Sequence, residues 1–355
     1  MTAGDRPMTR VLTWLYIGLG VALLAWVVAE VDFKAALASI LGMGWQGLAA
    51  AFAIYLAAFY IDSLSWHLAI LRLPLTLRWS YIVWRIRMVG EAFNTVLPAG
   101  GFGGEPIKAV LLKRHHAVSY REGIASIILA RTVNLIGLVV FMLIGLILLA
   151  GHEAGGRYGA FALGGFLFLT FGIGVLFAVQ KFRAASWTGT RLGRTRLGAR
   201  IEAALEHIND VEDRLHHFYA ERPWRFVPAV LLALINWVIG AAETYAILYF
   251  LGYPVTPGEA LIIESVNQMV RAATFFVPAN LGTQDSALII LAGAVTGSPE
   301  AGVALAAVKR IREIVFVVWG FALGSIYSLR GLLKSAERGN GDGGGEGEGN
   351  GLPSG

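Results

Sequence analysis

Leu97-Pro98-Ala99-Gly100-Gly101-Phe102-Gly103-Gly104-Glu105 interrupts one apolar run, and Val277-Pro278-Ala279-Asn280-Leu281-Gly282-Thr283-Gln284-Asp285 interrupts another. Proline to acid is seven residues in both, and the two stretches are offset by 180 residues. Each interruption splits its region, 81–113 or 260–295, into two halves that are short for a membrane crossing. Broken backbone at membrane depth is tolerated where protein or a wet cavity covers it. Both regions therefore read as re-entrant hairpins, with a pair of tilted crossings as the alternative. Either form starts and ends on the same side.

The similarity extends outward from the hairpins. Adding the same offset to Arg131 lands between Arg310 and Arg312. Asp62 precedes Pro98 by 36 residues, and Glu243 precedes Pro278 by 35. Each half reads as a span, a span with a buried acid, a broken hairpin and a span with a buried arginine. Three spans per unit is odd, so the second unit is inverted relative to the first. Inverted repeats with broken helices near the midplane are an architecture of transporters.

Composition sets the class. Of 355 residues, 56% are hydrophobic and 15% charged, and the mean hydropathy is +0.63. Soluble domains carry about 25% charged residues. An all-α polytopic membrane protein follows, with six spans near 11–29, 48–71, 124–150, 160–179, 226–251 and 301–329 plus the two hairpins. A cytosolic enzyme, a disulfide scaffold and a disordered chain are excluded. With no cysteine there is no thiol chemistry or iron–sulfur cluster. The first apolar run exceeds the 7–15 residues usual in a cleaved signal, so it reads as a retained span.

The organisation expected is a first repeat over 1–150 and the start of the second over 151–180. A cytoplasmic basic loop with an amphipathic helix takes 181–225, the rest of the second repeat 226–330, and a disordered Gly-rich tail 331–355. Arg6, Arg10, Arg72, Arg78, Arg85 and Arg87, the basic central loop, and Arg330, Lys334 and Arg338 fall on one side by this topology. That places both termini in the cytoplasm, in a bacterial inner membrane. The net charge of +5 sits beside apolar spans, so anionic lipid accounts for it better than nucleic acid.

Arg131 lies about seven residues into its span, where a charge costs about 2.5–3.5 kcal/mol on insertion scales. Arg310 and Arg312 enter the last span with Lys309 and Glu313 beside them. Two readings stand open. The arginines lock helices together through Glu105, Asp285, Asp62 or Glu243, or they form an anion site at the hairpin tips. They can coexist, because guanidinium binds carboxylate and phosphate alike through paired hydrogen bonds. Glu105 is expected to cap the helix opening at Pro106, and Thr283 the helix after Gly282. Such helix starts offer free N–H groups to an anion. His67 reads as an interfacial side chain. No metal-ligand spacing, ATP motif or cofactor site is present.

The motifs Asn94-x-x-Leu97-Pro98 with Gly103-Gly104-Glu105, Ala130-Arg131-Thr132, and Phe276-Val277-Pro278-x-x-Leu281-Gly282 resemble the transmembrane region of lysylphosphatidylglycerol synthases. That family includes many stand-alone flippase-like membrane proteins. The resemblance covers about residues 10–330. It implies an inverted-repeat bundle with re-entrant helices that moves a lipid across the bilayer, and it carries site roles to Arg131 and Glu105. The second motif usually reads closer to Pro-Gly-Gly-Leu-Gly with a final Glu. Asn280 and Asp285 stand here instead, which puts the headgroup preference in doubt. The soluble aminoacyl-transfer domain is absent, so lysylphosphatidylglycerol synthesis is not implied. Some stand-alone members of this size are associated with hopanoid lipid metabolism.

The function expected is a flippase or transporter for an anionic or zwitterionic lipid headgroup. Arg131, Arg310 and Arg312 would hold the anion, with Glu105 and Asp285 pairing with them between cycles. Asn94, Asn280, Gly103, Gly104 and Gly282 would shape the site, on hairpins set by Pro98, Pro278, Gly100 and Gly101. Asp62 and Glu243 would carry protons or neutralise a cationic headgroup. Membrane lipids are the expected partners. The rivals are a membrane-embedded lipid-modifying enzyme using Glu105 or Asp62, and a scaffold recruiting lipid-biosynthesis enzymes through the central loop.

Overall fold

The computed structural model describes residues 33–96, 103–116, 118–181, 222–274 and 282–341. The expected first span, the central basic loop with its amphipathic helix, both hairpin tips and the end of the tail lie outside them. Nine helices and no strand occur among the described residues. They are α1 (Phe33–Ala69), α2 (Leu77–Val96), α3 (Glu105–His116), α4 (Tyr120–Ala150), α5 (Gly155–Lys181), α6 (Pro223–Phe250), α7 (Pro257–Ala273), α8 (Thr283–Thr296) and α9 (Pro299–Gly341). Leu41–Ala69, Tyr120–Ala150 and Pro223–Phe250 are long and apolar enough to cross a membrane.

Local chemistry starts these helices where the sequence allows. Ser119 and Glu122 form a reciprocal capping box before α4, and Thr256 and Glu259 form another before α7. The first span of the described region begins earlier than expected, because α1 is two helices joined at Gly44 (φ 71°, ψ 168°). The last helix runs past the expected end at 329 to Gly341. Extending an existing helix fixes one residue per hydrogen bond gained, so a formed helix lengthens readily.

The hairpins appear as helix pairs, α2 with α3 and α7 with α8. The second arms have 12 and 14 residues, about 18 and 21 Å at 1.5 Å per residue, against a hydrocarbon core of about 30 Å. An arm that short does not cross a full bilayer, which fits the re-entrant form.

The packing carries the repeat into three dimensions. α1 and α6, equivalent in the two halves, form the most extensive helix pair. Ser65 Oγ donates to the Ala229 carbonyl at 2.9 Å and Arg225 reaches the Ile70 carbonyl, while Gly47 at the other end abuts Phe250. The equivalent helices therefore run antiparallel, and the halves are inverted. The other principal pairs come in matched sets. The pair α2–α9 answers α4–α7, and α3–α4 answers α8–α9. Both cross-half pairs close on a glycine: Gly320 meets Met88 and Ala92, and Gly145 meets Ser265. Without a hydrophobic driving force between helices in lipid, such close packing is what holds them.

Two apolar cores flank the junction. Trp66, Ile86, Leu112, Leu129 and Ala233 bury the first hairpin against α1, α4 and α6. Met142, Ile247, Ile263, Leu288 and Leu305 bury the second against α4, α6 and α9. Phe161, Phe168 and Phe171 on α5 face outward, where lipid would cover them.

Candidate functional site

Between the two cores lies a cavity of about 810 Å³. Both hairpins and both central helices wall it. Among the described residues, seven cations line it: Arg87, Lys108, Arg131, Arg271, Lys309, Arg310 and Arg312. Seven acids face them: Asp62, Glu91, Glu105, Glu243, Glu264, Asp285 and Glu313. The wall is densely charged yet formally neutral. Placing that much charge in a lipid-embedded fold is affordable only if nearly every group finds a partner.

The first hairpin supplies one network. Asn94 Oδ1 accepts from the Gly104 amide at 2.6 Å, which ties α2 to the start of α3. Its Nδ2 donates to Glu91 and Glu105, both at 3.1 Å. Arg131 on α4 holds Glu105, with Nε at 3.1 Å from Oε1 and a second bond from the guanidinium. Lys108 bridges Glu91 at 2.6 Å and Glu105 at 3.2 Å. Arg87 pairs with Asp62, and Asn134 donates to the same carboxylate at 3.2 Å.

The second hairpin supplies its counterpart. Arg310 on α9 holds Asp285 at 2.7 Å and Glu313 at 2.8 Å. Arg312 pairs with Glu243 on α6, and its guanidinium lies 3.7 Å from the centroid of the Tyr55 ring. Lys309 meets Glu264 on α7 at 2.5 Å. Thr274 and Thr283 hydroxyls, 3.1 Å apart, close the base of this hairpin as Asn94 and Gly104 close the other.

The expected residues meet as follows. Arg131, Glu105 and Asn94 converge at the first hairpin, with Gly104 buried and Gly103 half-buried beside them. Asp285 and Arg310 converge at the second, beside Gly282. Asp62 and Glu243 each hold an arginine from another helix. Pro98, Gly100, Gly101, Pro278 and Asn280 lie outside the described residues.

Four readings need correction. Glu105 is the first residue of α3 and not its cap; the Gly104 carbonyl accepts from the Lys108 amide, and the Glu105 carboxylate turns to Arg131. Gly282, not Thr283, holds the cap position of α8, at φ 73°, with its amide bonded to Asp285 at 3.2 Å. Only glycine takes that backbone without strain. Arg87 belongs to the cavity and not to the cytoplasmic flank, because α2 carries it one turn before Glu91. His67 is buried, with Nδ1 3.0 Å from Ser80 Oγ, and not interfacial.

Glu91, Lys108 and Glu264 were not singled out from the sequence. Spacing held a signal: Arg87, Glu91 and Asn94 fall on one helical face, as do Glu105 and Lys108. Glu264 has Gln268 one turn on as a local partner, but its cation, Lys309, comes from 45 residues away.

The fold, the hairpin networks and the motifs they carry now meet one further finding. The model of the lysylphosphatidylglycerol synthase TM region matches residues 13–320. The chain belongs to that family. The match takes in both hairpins, both buried-acid helices and the arginines of α4 and α9, so the family unit and the cavity coincide. No curated protein and no solved structure matches the chain. Membership in this family gives the protein a membrane, lipid-related role.

Proposed function

We propose that this protein moves the headgroup of an anionic or zwitterionic lipid between leaflets of the cytoplasmic membrane, as a transporter and not an enzyme. The observation that carries the reading is a formally neutral, ion-paired cavity at the junction of two inverted halves. A headgroup entering such a cavity can exchange partners with existing pairs. No charge need be left bare during the exchange.

Of the three arginines expected at the site, Arg131 is the best placed to meet the headgroup. Its side chain is 40% exposed, against 5% for Arg310 and 11% for Arg312. A phosphate oxygen can replace Glu105 on its guanidinium, while Lys108 and Asn94 keep the released carboxylate bonded. Arg310 and Arg312 are brace cations in this state. The acids that an enzyme would need as a base, Glu105 and Asp62, are each already engaged by an arginine.

The test is leaflet exchange in proteoliposomes holding labelled phosphatidylglycerol, aminoacylated phosphatidylglycerol or a neutral lipid. Wild type should exchange at least one charged lipid, and Arg131→Ala should lose at least tenfold in rate. Folded wild-type protein that exchanges none of them, with and without an ion gradient, would overturn the reading.

A further inference from the structure

The Glu264–Lys309 pair has no counterpart in the first half. The offset of 180 residues places Trp84 opposite Glu264 and Leu129 opposite Lys309. The pair is also a buried link between its helices. Both side chains are 5% exposed. α7 and α9 are not among the principal packed pairs, since α8 packs between them, so the ion pair spans a gap that backbone packing does not close.

Glu264 differs from the other acids of the cavity in what surrounds it. Oε2 accepts from Lys309 and from the Thr244 hydroxyl at 2.8 Å, and Oε1 accepts from Gln268 Nε2 at 2.7 Å. A hydroxyl donates or accepts by rotation. If Glu264 takes a proton, its O–H can donate to Thr244 while Gln268 stays bonded. The neutral acid thus keeps two of its three bonds and gives up the one from Lys309. Glu243, equally buried, is held by Arg312, whose guanidinium is stacked on Tyr55. Lys309, by contrast, ends in a compact ammonium on a flexible stem.

Charge balance supplies the rest. Among the described residues the cavity is neutral, with seven cations against seven acids. A phosphodiester headgroup brings one negative charge into a low-dielectric space. One proton on one acid restores neutrality. Facing α7 in the same cavity are Arg131 on α4, Glu243 on α6 and Asp285 on α8, with Arg310, Arg312 and Glu313 on α9; among the described residues of α5, Gly172 lines the cavity and Arg157 does not. Asp285 and Glu313 share Arg310, Glu243 holds Arg312, and Glu105 holds Arg131.

We propose that Glu264 is the proton site of a one-proton, one-headgroup symport. The proton comes from bulk water and binds Oε2. Lys309 stays an ammonium, leaves Glu264 and becomes a ligand to the headgroup phosphate. Proton and headgroup cross together, and the complex carries no net charge. The inference rests on the transport reading above and adds its energy source.

The experiment uses the full chain in phosphatidylcholine vesicles with labelled phosphatidylglycerol as tracer and a pH step of one unit imposed across the membrane. At one proton per headgroup, the leaflet ratio of the label should shift about tenfold toward the alkaline side. The shift should not respond to a membrane potential. Glu264→Asp, which keeps a titrating group, should follow the gradient, and any exchange by Glu264→Gln should level off at an equal distribution. Wild-type exchange that ignores the gradient, or Glu264→Gln that follows it, overturns the proposal and leaves the transport reading intact. No exchange by folded wild type overturns both. A second measurement needs no variant to fold: adding short-chain phosphatidylglycerol to wild type should raise a protonated-carboxyl band in the infrared difference spectrum. Its absence also overturns the proposal.

Discussion

Gly90 lies directly beneath the stem of Lys108. A Cβ on residue 90 would fall 2.3 Å from Lys108 Cε and 2.4 Å from its Cγ. The ammonium that ties Glu91 to Glu105 therefore depends on a missing side chain on the facing helix. Gly90→Ala should push Lys108 out of its place, at about 1–3 kcal/mol of overpacking. Lipid exchange should fall by more than the loss of thermal stability in detergent would explain, and Lys108→Met should mimic the transport defect.

The next contact in the same hairpin allows no such movement. A Cβ on Gly104 would sit 1.8 Å from the carbonyl oxygen of Gly90, a backbone atom. Gly104→Ala must part α2 from α3 and break the bond between Asn94 and the Gly104 amide. We expect a larger drop in melting temperature than for Gly90→Ala, read in the same detergent. Equal melting temperatures would show that the hairpin arms do not meet as described.

Arg131 and Arg312 should behave differently when truncated. Arg131→Ala leaves Glu105 bonded to Lys108 and Asn94, in a wall open to the cavity, so stability should change little while transport is lost. Arg312→Ala strands Glu243, which is 3% exposed, and breaking a buried pair costs about 3–5 kcal/mol. The double variant Arg312→Met/Glu243→Leu should recover much of that loss, because no unpaired charge remains. Thermal unfolding of the three proteins reads all of this.

The absence of cysteine from the sequence allows a direct test of the inverted packing. Ser65→Cys with Ala229→Cys should cross-link with a short bifunctional reagent, and so should Gly47→Cys with Phe250→Cys. Ser65→Cys with Phe250→Cys should not, because antiparallel α1 and α6 place these residues at opposite ends. Gel mobility is the readout, and parallel helices would give the reverse pattern.

Much of this architecture was legible before any coordinates. Two proline–acid stretches at one offset, with an acid before and an arginine after each, sufficed for the repeat and the hairpins, while which acid each arginine holds stayed open. These were readable because helical periodicity and a seven-residue interval are local quantities. Arg87 was misread for a related reason. An arginine beside a span end looks the same whether α2 turns it to the cytoplasm or to Asp62. The caps were misread by one residue, since the choice between Gly104 and Glu105, or Gly282 and Thr283, turns on backbone angles that composition does not fix.

The sequence alone determined the class, the twofold plan and part of the charged set at its centre, because hydropathy, repeat spacing and buried charge are written along the chain. Tertiary structure alone decided which charges meet. Glu264 and Lys309 stand 45 residues apart on helices that α8 separates, and only the folding of both hairpins onto α1 and α6 brings them within 2.5 Å. It also decided that, among the described residues, the cavity sums to zero, since neutrality belongs to the set of side chains the fold gathers and to no segment of the sequence.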